Sequence, residues 1–132
     1  MDAIQFIFAG NATFTISSNR TNQELTYQVI WRKAFHSYLV KSFNTRTGGV
    51  WNIGYYNKKY ISWRSTSDSN VFAWFIEHLI KGTMPDYIEV RHLGRCGRCG
   101  KALKDEESLA NGFGADCLKL IDTESLFKSL QS

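Results

Sequence analysis

The stretch Ala12–Trp31, ATFTISSNRTNQELTYQVIW, contains two runs in which apolar and polar side chains alternate. Such a period of two is typical of a strand that is buried on one face. The polar residues 19–22 separate the two runs and predict a turn. We therefore expect two adjacent antiparallel strands, whose core-facing residues are Ala12, Phe14, Ile16, Leu25, Tyr27, Val29 and Trp31.

Three further strands are predicted beyond this pair, at residues 38–43, 50–56 and 59–64. The loop at 44–49 and a short turn at Asn57-Lys58 separate them, so the chain reads as a meander of about five strands. The N-terminal residues 1–6 also read as extended. Antiparallel sheet is thus the expected structure of the first half of the chain.

The hydrophobic period changes at the polar run of residues 65–69, which offers several helix N-caps. From 70 to 81 the apolar residues recur as on one face of a helix, and Gly82 and Pro85 predict its end. The apolar stripe is wide, which favours a helix laid across the sheet. Its members are Phe72, Phe75, Ile76 and Leu79, widened by Val71 and Trp74.

All three cysteines of the chain lie in its last third, with His92 close to them in sequence. The spacing is His-x3-Cys-x2-Cys-x17-Cys, in which the Cys-x2-Cys pair, the later cysteine and the preceding histidine match the two-plus-two ligand arrangement of a four-coordinate structural zinc ion. We predict one structural zinc per chain, with His92, Cys96, Cys99 and Cys117 as its ligands. The glycines that follow Cys96 and Cys99 are expected to take left-handed backbone angles and turn main-chain amides toward the sulfurs.

A structural zinc site competes with three other roles for these cysteines. A disulfide leaves one of three cysteines over, and nothing in the sequence marks secretion. The sequence also leaves open a redox or buried-thiol role and a catalytic zinc. Basic residues surround the predicted site and can balance its negative charge; they are Arg91, Arg95, Arg98, Lys101 and Lys104.

Short elements are expected around the cysteines. A strand at 87–91 delivers His92, Asp105 and the two acids after it begin a helix that ends near Gly112, and another helix carries Cys117. Asp122 or Thr123 can cap a final amphipathic helix that contains Leu126, Phe127 and Leu130.

The predicted fold class is therefore α+β, an antiparallel β-meander of about five strands packed by one helix, followed by a small C-terminal zinc-finger-like module with short helices. The domain boundaries expected are 1–84 for the sheet and its helix, and 85–132 for the zinc-binding module.

The charges of the chain are segmented. The formal net charge is +4, but residues 20–64 have eight basic side chains and one acid. Residues 105–132 are acidic, with six acids and two lysines. Such segmentation favours partner binding. No signal peptide and no apolar run of about 20 residues occurs, so we expect a soluble, cytoplasmic protein.

An enzymatic function is not predicted. The sequence has no glycine-rich phosphate loop, no His-Glu-x-x-His pair and no Gly-x-Ser-x-Gly elbow. A zinc deaminase needs His-x-Glu and a proline directly before the first cysteine, whereas this chain has Glu77-His78 and Arg95 at those points. His78 is more simply a packed or surface histidine, and His36 is uninformative.

Aromatic and basic residues are interleaved between residues 31 and 63, which is a pattern that single-stranded nucleic acids bind. The alternative is that the rings form the core of the sheet and the cations its solvated face. Tyr55 and Tyr56 are adjacent in a strand and must point to opposite faces, so one ring is expected to be exposed. The candidate partner-binding residues are Arg32, Lys33, Tyr55, Lys58 and Lys59.

The C-terminal stretch resembles an uncharacterised zinc-binding family common in phages and prophages. The resemblance rests on His92-Leu93-Gly94-Arg95-Cys96-Gly97-Arg98-Cys99-Gly100, Ser108-Leu109 and Gly112-Phe113-Gly114-Ala115-Asp116-Cys117, with Ala73-Trp74-Phe75 upstream. Two departures are Ala115, where the family often has proline, and Lys104-Asp105-Glu106, where it often has Thr-x-Pro. The resemblance implies a metal site and no particular activity.

In size and character the chain also resembles the small zinc-containing anti-CRISPR proteins of streptococcal prophages. This resemblance implies a monomeric inhibitor that binds a type II Cas nuclease directly and prevents target DNA from loading. A protein of charge +4 does not imitate nucleic-acid phosphates, so contact with an acidic protein surface is the expected route. The alternative is a phage nucleic-acid-binding zinc protein without anti-CRISPR activity.

Overall fold

The computed structural model describes residues 2–44 and 47–120, and it confirms the mixed α/β class. Six antiparallel strands form an open sheet in the order β5-β4-β3-β2-β1-β6. Their bounds are β1 Asn11–Ser18, β2 Glu24–Arg32, β3 Ser37–Phe43, β4 Val50–Asn57, β5 Lys59–Ser62 and β6 Ile88–His92. The helices are α1 Ala3–Ile7, α2 Ser67–Lys81 and α3 Glu106–Asn111, and a 3₁₀ turn occupies Lys33–Phe35.

Strands β1 to β5 are the predicted meander, in the predicted order. The register places Phe14 opposite Tyr27 and Ala12 opposite Val29, so the alternating apolar residues share one face. The strand predicted before His92 is β6, and it adds a sixth strand beside β1. Gly54 in β4 permits close pairing with β5, because a Cβ at this position would lie 2.3 Å from the Ile61 carbonyl oxygen.

Helix α2 covers one face of the sheet, as the wide apolar stripe predicts. Its rings meet those of the strands: the centroids of Tyr27 and Phe72 are 5.2 Å apart and those of Phe14 and Phe75 are 6.2 Å apart. The helix begins at Ser67, three residues before the predicted start, because the polar run forms its first turn. Gly82 ends it with a left-handed φ of 71°, as expected.

The N-terminal residues contradict the sequence-based expectation, since they form helix α1 and no strand. Asp2 caps this helix by accepting a hydrogen bond from the Gln5 N–H at 3.0 Å. Phe6 and Ile7 on the helix are fully buried. Their burial against the cysteine segment stabilises a helix that would be too short to persist alone.

The C-terminal elements agree with prediction where the structure describes them. Helix α3 has Asp105 as its N-cap and Gly112 as its C-cap, and residues 115–120 are helical and carry Cys117. The predicted final helix with Asp122, Thr123, Leu126, Phe127 and Leu130 lies outside the described residues. Within the described ranges, no helix is both long and apolar enough to span a membrane.

The predicted boundary between residues 84 and 85 remains a prediction about domains. Beyond it, β6 joins the sheet through β1, and Cys96 and Phe113 are buried in the same apolar cluster as Phe6. The cysteine segment therefore packs directly on the sheet-forming part of the chain.

Candidate metal centre and candidate binding face

The three cysteines form one cluster, as their spacing predicts. The Sγ atoms of Cys96, Cys99 and Cys117 all lie within 4.8 Å of one another. Cys96 is buried, Cys117 is half-buried and Cys99 is exposed, so the cluster opens to solvent on one side. All three are free thiols. The arrangement can hold a metal ion through three sulfur ligands.

Backbone hydrogen bonds shape the turn that presents Cys96 and Cys99. The Cys96 N–H donates to the Lys101 carbonyl at 2.8 Å, and the Gly100 N–H donates to the Cys96 carbonyl at 2.9 Å. Gly100 takes the expected left-handed φ, at 80°. A ladder contact between Arg95 and Ala102 closes the base of the turn. We call this turn, residues 95–102, the knuckle.

Gly97 has a different role from the one expected, because its φ is not among the positive ones. A Cβ on Gly97 would lie 2.6 Å from Cδ2 of Phe6 and 3.0 Å from Cε1 of Phe113. Glycine is thus required here for close packing of two aromatic rings against the knuckle. The Gly97 carbonyl also accepts from Asn11 N–H at 2.8 Å, which ties the knuckle to the start of β1.

The environment of Cys96 favours its thiolate. Burial raises the pKa of this thiol, but backbone N–H groups of Cys99, Gly114 and Arg98 that donate to the sulfur outweigh burial and lower the pKa to about 7. The pKa of Cys117 is raised to about 11, first by burial and then by its hydrogen bonds with the other two thiols.

His92, the predicted fourth ligand, is not among the side chains that the structure brings together; within the described ranges, that group contains the three cysteines. Its Nδ1 accepts a hydrogen bond from Gly94 N–H at 2.9 Å, and its Nε2 lies 2.5 Å from the Leu109 carbonyl oxygen. Because a carbonyl only accepts, Nε2 carries the proton. Both ring nitrogens are thus engaged, and the ring links the end of β6 to α3.

The other candidate ligands also lie outside the cysteine group within the described ranges. The His78 ring packs at a tilt against Trp74, with ring centroids 4.7 Å apart, and its Nδ1 lies 2.7 Å from the Thr83 hydroxyl. His36 is exposed and follows the 3₁₀ turn with a φ of 46°. Asp116 is exposed beside Cys117. His92 as the fourth ligand therefore remains a prediction.

We call the sheet face opposite α2 the open face. Pairing of Leu39 with both Ile30 and Tyr55 places these three residues on it. Tyr56 points to the covered face, where its ring centroid lies 4.9 Å from that of Phe8. The expectation that Tyr55 and Tyr56 point to opposite faces is confirmed.

The candidate partner-binding cations gather at one end of the sheet. Arg32 pairs with Ser37 where β2 turns into β3, and Asn57 pairs with Lys59 where β4 turns into β5. These two turns are neighbours, because Tyr38 of β3 pairs with Tyr56 of β4 beside them. We call this the basic end, defined by four exposed residues: Arg32, Lys33, Lys58 and Lys59.

A cavity of about 550 Å³ lies on the open face next to the basic end. Its aromatic lining consists of Phe35, Tyr55 and Trp63, and the rings of Tyr55 and Trp63 have centroids 5.7 Å apart. Phe35 is 77% exposed and Trp63 is 54% exposed. Of the lining residues, Arg32 and Tyr55 are predicted partner-binding residues, and Phe35 and Trp63 belong to the interleaved aromatic residues of the sequence. The strand register from Tyr55 to Asn57 could have indicated more of this face.

The interleaved aromatic residues divide between the two interpretations that the sequence left open. Tyr38, Tyr56 and Tyr60 pack against the core. Trp31, Phe35, Trp51 and Trp63 are exposed. The sheet therefore uses its aromatic residues both as core and as surface.

A protein-family model described as "Family of unknown function (DUF6011)" matches residues 89–122. The match spans 34 of the 132 residues and contains His92 and all three cysteines. This part of the chain is similar to that family. No curated protein and no solved structure matches the chain.

Proposed function

We propose that this protein is a non-catalytic binding protein in which the cysteine cluster holds a structural zinc ion and the open face of the sheet binds single-stranded nucleic acid. The observation that carries the proposal is the juxtaposition of exposed aromatic rings with four cations at one end of an uncovered sheet face.

The geometry of the thiols supports zinc as the metal. Tetrahedral zinc with bonds of about 2.3 Å to sulfur places its sulfur ligands roughly 3.8 Å apart. The three Sγ atoms lie within 4.8 Å of one another, so small side-chain rotations bring them to that spacing. The backbone N–H groups that lower the pKa of Cys96 would stabilise a zinc-bound thiolate in the same way. Hard cations such as Mg²⁺ and Ca²⁺ prefer oxygen ligands and do not suit this set.

His92 is the proposed fourth ligand. Its ring centroid lies 5.8 Å from that of Phe6, whose ring packs on Gly97 of the knuckle, so the imidazole is near the cluster. Ligation requires a ring nitrogen without a proton. His92 would therefore exchange its hydrogen bond to Leu109 or the one from Gly94 for the metal bond.

The open face suits a single strand for two physical reasons. Cations at the basic end can neutralise phosphates, and bases stack on exposed rings irrespective of sequence. Glu77 lines a groove with Lys58 and Lys59, but its carboxylate is paired with Lys81 at 2.7 Å. The positive charge of the basic end is therefore available to a ligand.

Inhibition of a type II Cas nuclease, which the resemblance implies, remains a prediction. A basic face can equally meet an acidic protein surface through long-range attraction. The two functions share a surface and differ in the ligand, so one pair of assays separates them.

The test is fluorescence anisotropy of labelled single-stranded and duplex oligonucleotides over a salt series, run beside target cleavage by a type II Cas nuclease with the protein in excess. Four phosphate contacts on a single strand predict a slope of log K against log salt of about −3. Binding of the single strand with that slope, and weaker binding of the duplex, would support the proposal. Inhibited cleavage without oligonucleotide binding would replace it with the nuclease-inhibitor function.

A further inference from the structure

The cavity beside the basic end has polar groups placed among its rings. Asn52 and Asn57 line it from β4, and Arg32 lines it from β2. All three are exposed, and none has a side-chain hydrogen bond or ion pair with another residue in the described part of the chain. A carboxamide offers one acceptor and two donors, so these groups are available to a ligand.

The size and lining of the cavity match a small planar ligand. A volume of about 550 Å³ falls within the range of roughly 300 to 1,000 Å³ typical of small-ligand sites, which are mostly apolar with a few polar groups that fix orientation. A purely aliphatic occupant would leave both carboxamides unpaired on contact, at a cost in free energy. The expected occupant therefore has a planar aromatic ring that can stack on the aromatic lining. The edge of that ring carries hydrogen-bond donors and acceptors for the two carboxamides.

We infer that this cavity holds one unpaired nucleobase of a bound single strand, stacked on the aromatic lining and read at its edge by Asn52 and Asn57. The inference rests on the proposed function and adds base selectivity to it. Arg32 lines the cavity and can meet a phosphate that flanks the base, whereas Lys58 and Lys59 line a neighbouring groove beside α2. A base in a duplex is stacked and paired, so the site selects single strands.

The stacking part is tested with Trp63→Ala and the matched control Trp51→Ala. Trp51 is 51% exposed and also lies in the sheet, but it does not line the cavity. Loss of one stacking ring is expected to weaken oligonucleotide binding about tenfold for Trp63→Ala, because base stacking contributes about 1–3 kcal/mol. Trp51→Ala should change binding by less than about twofold. Equal effects of the two substitutions, or none from Trp63→Ala, overturn the inference.

The readout part is tested with the four homopolymeric deoxyoligonucleotides. The wild type should prefer one of them, and Asn52→Ala combined with Asn57→Ala should remove the preference while leaving the salt slope unchanged. Asn70→Ala, an exposed asparagine on α2, is the control and should keep the preference. A wild type that binds all four equally, or a double variant that keeps the preference, overturns the readout.

The outcomes also separate this inference from the proposed function. If the wild type binds no oligonucleotide, both fall. If it binds with a steep salt slope but Trp63→Ala binds equally well, the open face remains a nucleic-acid surface and only the base-binding cavity is rejected. Circular dichroism of every variant establishes that the fold is intact, as expected for substitutions of exposed side chains.

Discussion

At the scale of single residues, Cys96, Cys99 and Cys117 have the clearest chemistry in the chain. Their convergence follows from the spacing, because a turn of two residues brings the first pair together and helices return the third. The hydrogen bond between His92 and Leu109 could not be read from the sequence, since the two residues are seventeen positions apart and no periodic pattern connects them. The close packing at Gly97 depends on Phe6, which is equally remote in sequence.

We expect the purified protein to contain about one zinc ion per chain and Cys117→Ser to lose it, because a neutral hydroxyl does not replace a thiolate ligand. Elemental analysis measures the metal. Asp116→Ala is the control: this exposed neighbour lies outside the cysteine group and should retain zinc. A wild type that is metal-free and fully folded would contradict a structural role for zinc.

His92→Ala should release zinc to a chelator at least about tenfold faster than His78→Ala, since metal ligands and their supporting groups typically affect affinity by that factor or more. His78 is the matched control because its nearest partner is Thr83, outside the cysteine cluster. Competition with a chromogenic chelator measures the release. Equal rates in both variants would leave His92 with a purely hydrogen-bonding role between β6 and α3.

At the scale of elements, the strands and α2 were predictable because each has a clear hydrophobic period, and α2 also has a C-cap glycine, Gly82. Helix α1 was not, since five residues are too few to reveal a helical period and Ile4 and Phe6 alternate as in a strand. The placement of β6 beside β1 was also missed, because strand neighbours that are distant in sequence are chosen by packing. The cavity escaped prediction because its lining comes from separate elements, and only the strand order brings those elements together.

Tyr27 joins β2 to α2 and makes stability depend on alkaline pH. Its hydroxyl donates to the Asp68 carbonyl at 2.7 Å, and burial, aided by Asp68, raises its pKa well above the ordinary value of 10.0. The folded state keeps this proton while the unfolded state loses it near pH 10, so the contribution is complete below pH 10 and is lost as the pH rises beyond it. Burial also raises the pKa of Tyr56 and Tyr60.

Tyr27→Phe should therefore lower the free energy of unfolding by about 1 kcal/mol at pH 8, through the lost hydrogen bond. It should also reduce the decline in stability between pH 8 and pH 10.5. Urea unfolding followed by fluorescence at both pH values measures the two effects. An unchanged alkaline decline in the variant would show that Tyr56, Tyr60 or other groups cause it.

At the scale of the whole molecule, the charge segmentation in the sequence indicated a binding protein, and the fold gathers four cations of the basic segment at one end of the sheet. The sequence could not indicate which turns become neighbours, because that depends on the strand order. The knuckle provides a second basic segment, on a different part of the fold.

Reversal of two charges distinguishes these basic regions. Lys58→Glu with Lys59→Glu should weaken binding of a single strand and reduce the salt slope by about 1.4, because two phosphate contacts are lost. The matched double variant, Lys101→Glu with Lys104→Glu, changes the same charge among exposed lysines of the knuckle segment and should alter the slope little. Anisotropy titrations at several salt concentrations provide both slopes. A larger effect from the knuckle variant would move the binding surface to the cysteine segment.

The most direct test of nucleic-acid binding by the open face is photocrosslinking of a single strand that contains 5-bromodeoxyuridine, followed by mass spectrometry of the crosslinked peptides. Crosslinks to Phe35, Tyr55 or Trp63 on the open face are the predicted result. Crosslinks confined to the knuckle segment or to α2, or none at concentrations where the strand is bound, would contradict the assignment of nucleic-acid binding to this face.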